Sequence, residues 1–183
     1  MNIHRYTIKV MFFVLSCTLC YSCSSDEEYI PFYASTLGDC IWLSLERQNG
    51  MVYDYDSLLQ NNKLSVYGIL AKRNTPLQVV TTDTGSRYID FSADLPNSSS
   101  MQLNENRTEG WGDSFAIITI GEKKSKMTFH FKYESLNIPD MFGGNGIGID
   151  SISYNNRKIK PIVLSNIRRI TLRETSSGEF ELQ

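Results

Sequence analysis

The sequence predicts an all-β fold, namely a single antiparallel β-sandwich of the immunoglobulin-like or a related type. Short segments alternate apolar and polar residues with the period of two that a half-buried strand requires. Residues that favour turns separate these segments, and beyond the N-terminal segment no run of ten or more residues has the period of a helix. Short strands joined by turns favour a sandwich or barrel over an α/β design. We choose the sandwich because no barrel-closure signal is visible.

The predicted strands follow from this alternation. The first covers residues 40–47, where Ile41, Leu43 and Leu45 share one face and Trp42 lies on the other. The other predicted strands cover residues 64–70, 77–82, 87–93, 114–120, 126–133, 146–154, 157–161, 167–173 and 180–183.

Three hairpins are predicted from the spacing of strands and turns. Residues 77–82 and 87–93 form one of them, with a turn at residues 83–86. Residues 114–120 and 126–133 form the clearest one, because the second segment alternates aromatic and polar side chains across a short polar connection. Asn155 and Asn156 separate the next two strands, and asparagine tolerates the positive φ angles that tight hairpin turns demand.

The N-terminal 22 residues have the organisation of a secretory signal peptide. His4, Arg5 and Lys9 precede an apolar run of twelve residues, 10–21. A helix that spans a bilayer needs about 20 apolar residues, whereas a basic start followed by a shorter apolar run is typical of export.

Three cysteines close this segment, and Cys23 best fits the first residue of a processed chain. Cys20 follows Leu19, which is large for a cleavage site, and Cys17 leaves only a short apolar core. Cys23 follows Ser22 and keeps the full core. A thiol immediately after the cleavage site is the position at which lipoproteins carry diacylglycerol and fatty acids such as palmitate.

The segment resembles a bacterial lipoprotein signal. Cys23, Ser25, Asp26, Glu27 and Glu28 are similar to the surface-export signature of Bacteroidetes lipoproteins, which places serine and acidic residues after the lipidated cysteine. The resemblance implies a lipid anchor on Cys23, processing and export by the lipoprotein machinery, and a position on the bacterial outer membrane facing the cell surface. Several acyl chains on one cysteine make such an anchor durable.

Composition bounds the mature chain. Of 183 residues, 161 remain once residues 1–22 are removed, which suits one domain. We assign residues 23–38 to the lipidated N-terminus and tether, and residues 39–183 to the sandwich domain. Arg5 and Lys9 leave with the signal, so 16 basic residues face 20 acidic ones and the net charge is −4. A mildly acidic chain without basic runs argues against nucleic acid as a partner.

The sequence offers no catalytic, metal-binding or cofactor-binding constellation. His130 is the only histidine of the mature sequence, so a Ser-His-Asp or Cys-His arrangement would have to use it. Its position on the polar face of a strand favours an exposed structural residue. Cys40 reads as a small buried hydrophobe. We therefore expect a protein that is not an enzyme and that needs no cofactor or metal.

Two tryptophans are candidates for ligand binding. Trp111 lies between Gly110 and Gly112 in a polar stretch that we read as a loop. Tryptophan side chains are usually mostly buried, which favours an indole that enters the core from the loop as a plug. The alternative is an exposed indole that serves as a platform for a sugar ring or a partner. For Trp42, on the polar face of its strand, burial and ligand stacking remain open.

Two functions from different classes are compatible with these features. The first is a membrane-anchored, surface-exposed binding or adhesion module whose ligand is a glycan or a protein. The second is a structural or accessory subunit of an envelope protein assembly. The first is preferred by analogy of architecture and address.

Overall fold

The computed structural model describes residues 36–135 and 145–183, and within them the all-β class is confirmed. Alternating apolar side chains place the strands in two sheets, with one shared core between them. The predicted signal peptide (1–22), the lipidation site Cys23 and the export signature at residues 25–28 lie outside the described residues.

The described part of the chain contains fourteen strands and one α-helix, α1 (Tyr55–Gln60). The larger sheet comprises β1 (Thr36–Gly38), β3 (Leu64–Gly68), β4 (Arg73–Asn74), β7 (Gln102–Leu103), β8 (Glu109–Ile120), β9 (Lys123–Ser135), β10 (Asn145–Tyr154) and β11 (Arg157–Ile159). The smaller sheet comprises β2 (Cys40–Glu46), β5 (Gln78–Thr81), β6 (Arg87–Ser92), β12 (Ile162–Leu164), β13 (Ile167–Glu174) and β14 (Phe180–Leu182).

Strand order shows that both sheets are mixed, so the strictly antiparallel prediction is wrong. The larger sheet runs β1-β10-β9-β8-β3-β4, with β11 on β10 and β7 on β8. The smaller sheet runs β12-β13-β2-β6-β5, with β14 on β13. β1 pairs parallel with β10, and β2 pairs parallel with β13. Both parallel pairs join segments far apart in sequence, which local alternation and turn residues do not reveal.

Residues 36–38, which we assigned to the tether, form β1 at one edge of the larger sheet. Only Asp39 separates β1 from β2, so the chain passes from one sheet directly into the other. The β-sandwich therefore includes residues 36–38, because β1 forms one edge of the larger sheet.

All three predicted hairpins are confirmed. β5 and β6 pair antiparallel from Gln78 opposite Asp90 to Thr81 opposite Arg87. β8 and β9 pair from Glu109 opposite Glu134 to Ile120 opposite Lys123, so their turn is tighter than the sequence suggested. The turn between β10 and β11 places Asn155 and Asn156 at φ angles of 45° and 64°, the positive pair that a type I′ turn requires.

The core is continuous between the sheets. Inward side chains come from alternate positions of the long strands, as the period of two predicts. Its largest fully buried side chains are Tyr55, Phe129, Phe131, Ile41, Leu43, Leu45, Ile89, Ile118, Met127, Ile149, Ile152 and Leu172.

The helix α1 and the edge strand β12 lie at the surface of the sandwich. Asp54 caps α1 by accepting a hydrogen bond from the Ser57 amide at 3.2 Å. In the described residues no helix has the length and apolarity needed to cross a membrane. β12 ends the smaller sheet with three exposed apolar side chains, Ile162, Val163 and Leu164, at 55%, 55% and 41% exposure.

Candidate functional site

The outer surface of the larger sheet carries the side chains with the most chemistry. Along β8 the even-numbered residues from Gly110 to Ile120 point toward the core, so the odd-numbered residues point outward. The paired residues of β9 and β10 extend this surface. We call the following outward set the Trp111 face: Glu109, Trp111, Asp113, His130, Lys132, Glu134 and Ser153.

Trp111 lies in a strand with its side chain 46% exposed, so the interpretations of its segment as a loop and of its indole as a core plug are wrong. The two flanking glycines explain this. A Cβ on Gly110 would collide with Leu103, and one on Gly112 would collide with the sulfur of Met101. Those side chains cover the inner side of the strand, and alternation turns the indole outward.

A hydrogen-bonded chain crosses three strands beside Trp111. His130 Nδ1 lies 2.8 Å from Asp113 Oδ1, and His130 Nε2 lies 2.8 Å from Ser153 Oγ. His130 is thus held by partners on both sides, as an exposed structural residue need not be. Sequence analysis missed Asp113 and Ser153, because both become neighbours of His130 only through the register of β8, β9 and β10.

This connectivity matches the nitrogen assignment of a Ser-His-Asp triad, but the surroundings of Ser153 differ from those of a nucleophile. Catalysis of acyl transfer requires donors aimed at the developing oxyanion. Ser153 pairs with Thr128 on one side and Lys158 on the other, so its backbone N–H belongs to a sheet ladder. The chain of hydrogen bonds therefore suits orientation of polar groups for recognition better than nucleophilic attack.

An ion-pair cluster lies at the other side of Trp111. Lys132 is the cross-strand partner of Trp111, and its ammonium contacts Glu134 at 2.6 Å and Glu109 at 3.0 Å. Hydrogen bonds to Glu134 and then to Glu109 raise the pKa of Lys132. These three charged side chains hold one another beside the indole and present both donors and acceptors to a ligand.

A cavity of about 620 Å³ adjoins this cluster. Lys132 and Glu134 form part of its lining, together with Gly146 and Gly148 of β10 and Arg168 of β13. Gly148 leaves room above the sheet, and the guanidinium of Arg168 lies there. The cavity and the indole therefore lie on neighbouring strands.

The structure does not bring the two candidate tryptophans together. Trp42 points outward from the smaller sheet, is partly buried and stacks on Tyr88 with ring centroids 5.4 Å apart. Arg169 donates a hydrogen bond to the Tyr88 hydroxyl at 3.2 Å, which fixes the stack. Trp42 thus already has an aromatic partner, whereas Trp111 is more exposed and stacks on no aromatic ring in the described ranges.

Cys40 is half-buried rather than buried, and its thiol donates a hydrogen bond to Asp90 Oδ1 at 3.0 Å. Burial, and then the hydrogen bond and charge of Asp90, raise the pKa of the Cys40 thiol to about 12. The thiolate is the reactive form of cysteine, so this environment keeps Cys40 inert at neutral pH.

Comparison with protein-family models, with curated proteins and with solved structures finds no match to this chain. Across residues 36–135 and 145–183, no cluster of three or more His, Cys, Asp or Glu side chains is arranged to hold a metal ion. The assignment of the Trp111 face as the candidate site therefore depends on its geometry alone.

Proposed function

We propose that this protein is a lipid-anchored, surface-exposed lipoprotein of the bacterial outer membrane, and that its sandwich domain binds a glycan without catalysis. The proposal combines the address suggested by the sequence with the chemistry of the Trp111 face. The alternative ligand in the same class, a protein, would use the same surface.

The exposed indole of Trp111 is the observation that carries the proposal. An aromatic ring offers a flat apolar surface for the C–H groups of a sugar ring, while its polar neighbours offer hydrogen bonds to the hydroxyls. Lys132 and Asp113 lie beside Trp111 on rigid paired strands, so their positions are set before a ligand arrives.

The anchor supplies the location of this surface. In the proposal Cys23 carries diacylglycerol and a fatty acid such as palmitate, and residues 25–28 direct the lipoprotein export machinery to place the domain outside the cell. The partners are thus the membrane, the processing and export machinery, and a glycan, with no role for nucleic acid. Metabolic labelling with a fatty-acid probe tests the anchor, because a Cys23→Ala chain should lose the label that the parent chain carries.

Glycan-array binding by the purified full chain in detergent tests the binding function. We expect specific glycan signals that fall at least tenfold in Trp111→Ala. Trp42→Ala is the matched control, since it removes the other tryptophan from the opposite outer surface and should leave the signals unchanged. Equal loss in both variants, or retention in Trp111→Ala, would count against the proposal.

A second candidate function is an accessory subunit of an envelope assembly, and the β12 edge favours it. An exposed apolar edge strand can add a strand from another chain. Crosslinking in intact cells with a photoreactive residue at Ile162, which is exposed and does not line the cavity, tests this function. A single protein crosslinked in stoichiometric amount would favour the assembly, and crosslinks absent from Ile162 but present at Trp111 would favour the binding module.

A further inference from the structure

Arg168 places a partly buried guanidinium at the wall of the cavity beside the Trp111 face. Its Nε–H donates to the Ile149 carbonyl at 3.1 Å, and Nη1 donates to the Ser165 carbonyl at 3.5 Å. These bonds to backbone oxygens fix the plane of the guanidinium. One N–H of Nη1 and both of Nη2 have no hydrogen-bond partner in the described part of the chain.

The charge of Arg168 is not neutralised by an ion pair among the described residues, unlike those of the other cations of the cavity. Lys132 is held by two glutamates, and Lys160 lies 3.7 Å from Asp150. Burial lowers the pKa of Arg168, and the negative charge of Asp39 offsets only part of that effect. A partly buried charge without a counterion is stabilised by an anionic ligand.

Two glycines make room for this arginine. Gly38 of β1 and Gly148 of β10 are paired, and the guanidinium lies against both. A Cβ on Gly38 would lie 2.6 Å from the guanidinium carbon, and one on Gly148 would lie 2.5 Å from Nη2. A side chain at either position would displace Arg168, so the local sequence is compatible with this position of the guanidinium only because both residues are glycine.

Strand register places the cavity and the indole within reach of one ligand. Trp111 pairs with Lys132, and Lys132 pairs with Gly148 on the next strand. Neighbouring strands lie about 4.8 Å apart, so Trp111 and Gly148 are about 10 Å apart across β9. That separation suits two rings of one glycan chain with a third ring between them, because directly linked rings lie only about half as far apart.

We propose that Arg168 binds the carboxylate of an acidic sugar in this cavity while another ring of the same chain, two positions along, stacks on Trp111. The proposal rests on the proposed glycan-binding function and names its ligand class as a uronic-acid glycan. The planar fork of arginine matches a carboxylate with two parallel hydrogen bonds. A singly charged carboxylate also suffers less repulsion from Glu134 and Asp150 in the cavity lining than a doubly charged phosphate would.

NMR titration of the ¹⁵N-labelled full chain in detergent, with glucuronate as the acidic probe and glucose as its neutral counterpart, tests this inference. We expect glucuronate to shift the Nε–H resonance of Arg168 and the amide resonance of Gly148, and glucose to leave both in place. Arg168→Gln should weaken glucuronate binding at least tenfold. Arg168→Lys keeps the charge but loses the fork, and should also bind more weakly than the parent.

Arg173→Gln is the matched control, because Arg173 pairs with Glu46 at 2.6 Å outside this cavity. Glucuronate binding should remain unchanged in that variant. No shift with glucuronate, equal shifts with glucose, or full binding by a folded Arg168→Gln chain would overturn the inference. If neutral glycans still bind in a manner that requires Trp111, the proposed function stands and only the acidic-sugar assignment fails.

Discussion

Removal of the Ser114 hydroxyl should stabilise the fold. Ser114 is 0% exposed, and its Oγ has no hydrogen-bond partner within the part of the chain that the structure describes; the same holds for Ser151, which is 2% exposed. A buried hydroxyl without a partner costs about 1–3 kcal/mol of folding free energy. The oxygen-sized void that Ser114→Ala leaves costs only a few tenths of a kcal/mol. The net effect expected is a stabilisation of about 1 kcal/mol.

Urea denaturation followed by circular dichroism measures this effect. For a domain of this size a gain of about 1 kcal/mol corresponds to a rise in melting temperature of roughly 2–4 °C. Ser151→Ala should behave in the same way, and the two gains should add if the hydroxyls are independent. A loss of about 1 kcal/mol in either variant would instead show that the hydroxyl is hydrogen-bonded in the folded protein.

Three further predictions concern Cys40, Ser153 and Asn156. With the other cysteines changed to serine, Cys40 should react with iodoacetamide at pH 8 about 40-fold more slowly than a free thiol. Its raised pKa leaves little thiolate, and the greater nucleophilicity of that thiolate restores only part of the lost rate. A rate equal to that of a free thiol would contradict this prediction. Ser153 should resist a fluorophosphonate probe, and labelling that disappears in Ser153→Ala would reveal a nucleophile instead. Asn156→Val should destabilise the domain by about 1–2 kcal/mol in urea because valine disfavours positive φ, whereas Asn156→Gly should be near neutral.

The strands, and which of their side chains point toward the core, could be predicted because each long strand alternates apolar and polar residues. Ile41, Leu43 and Leu45 alternate with polar residues, and all three are fully buried. The Asn155-Asn156 turn was likewise predictable, since the φ requirement of the turn restricts its residues. Such features depend on neighbours in sequence, which is why composition and period are sufficient to find them.

The candidate site could not be assembled in the same way. Asp113, His130 and Ser153 come from three strands, and only the register of the larger sheet makes them neighbours. The outward position of Trp111 depends on Met101 and Leu103, which fill the space under the flanking glycines. Parallel pairing of β1 with β10 brings Gly38 and Gly148 together beneath Arg168. No local sequence pattern predicts a contact between strands so far apart in the chain.

The indole N–H resonances test most directly whether the Trp111 face binds the ligand. The chain contains two tryptophans, so a ¹H–¹⁵N spectrum of the labelled protein has two indole signals that single substitutions assign. Titration with the tightest glycan from the array should shift the Trp111 signal and leave the Trp42 signal in place. A shift of the Trp42 signal alone, or saturable binding that moves neither signal, would show that the ligand does not bind at the Trp111 face.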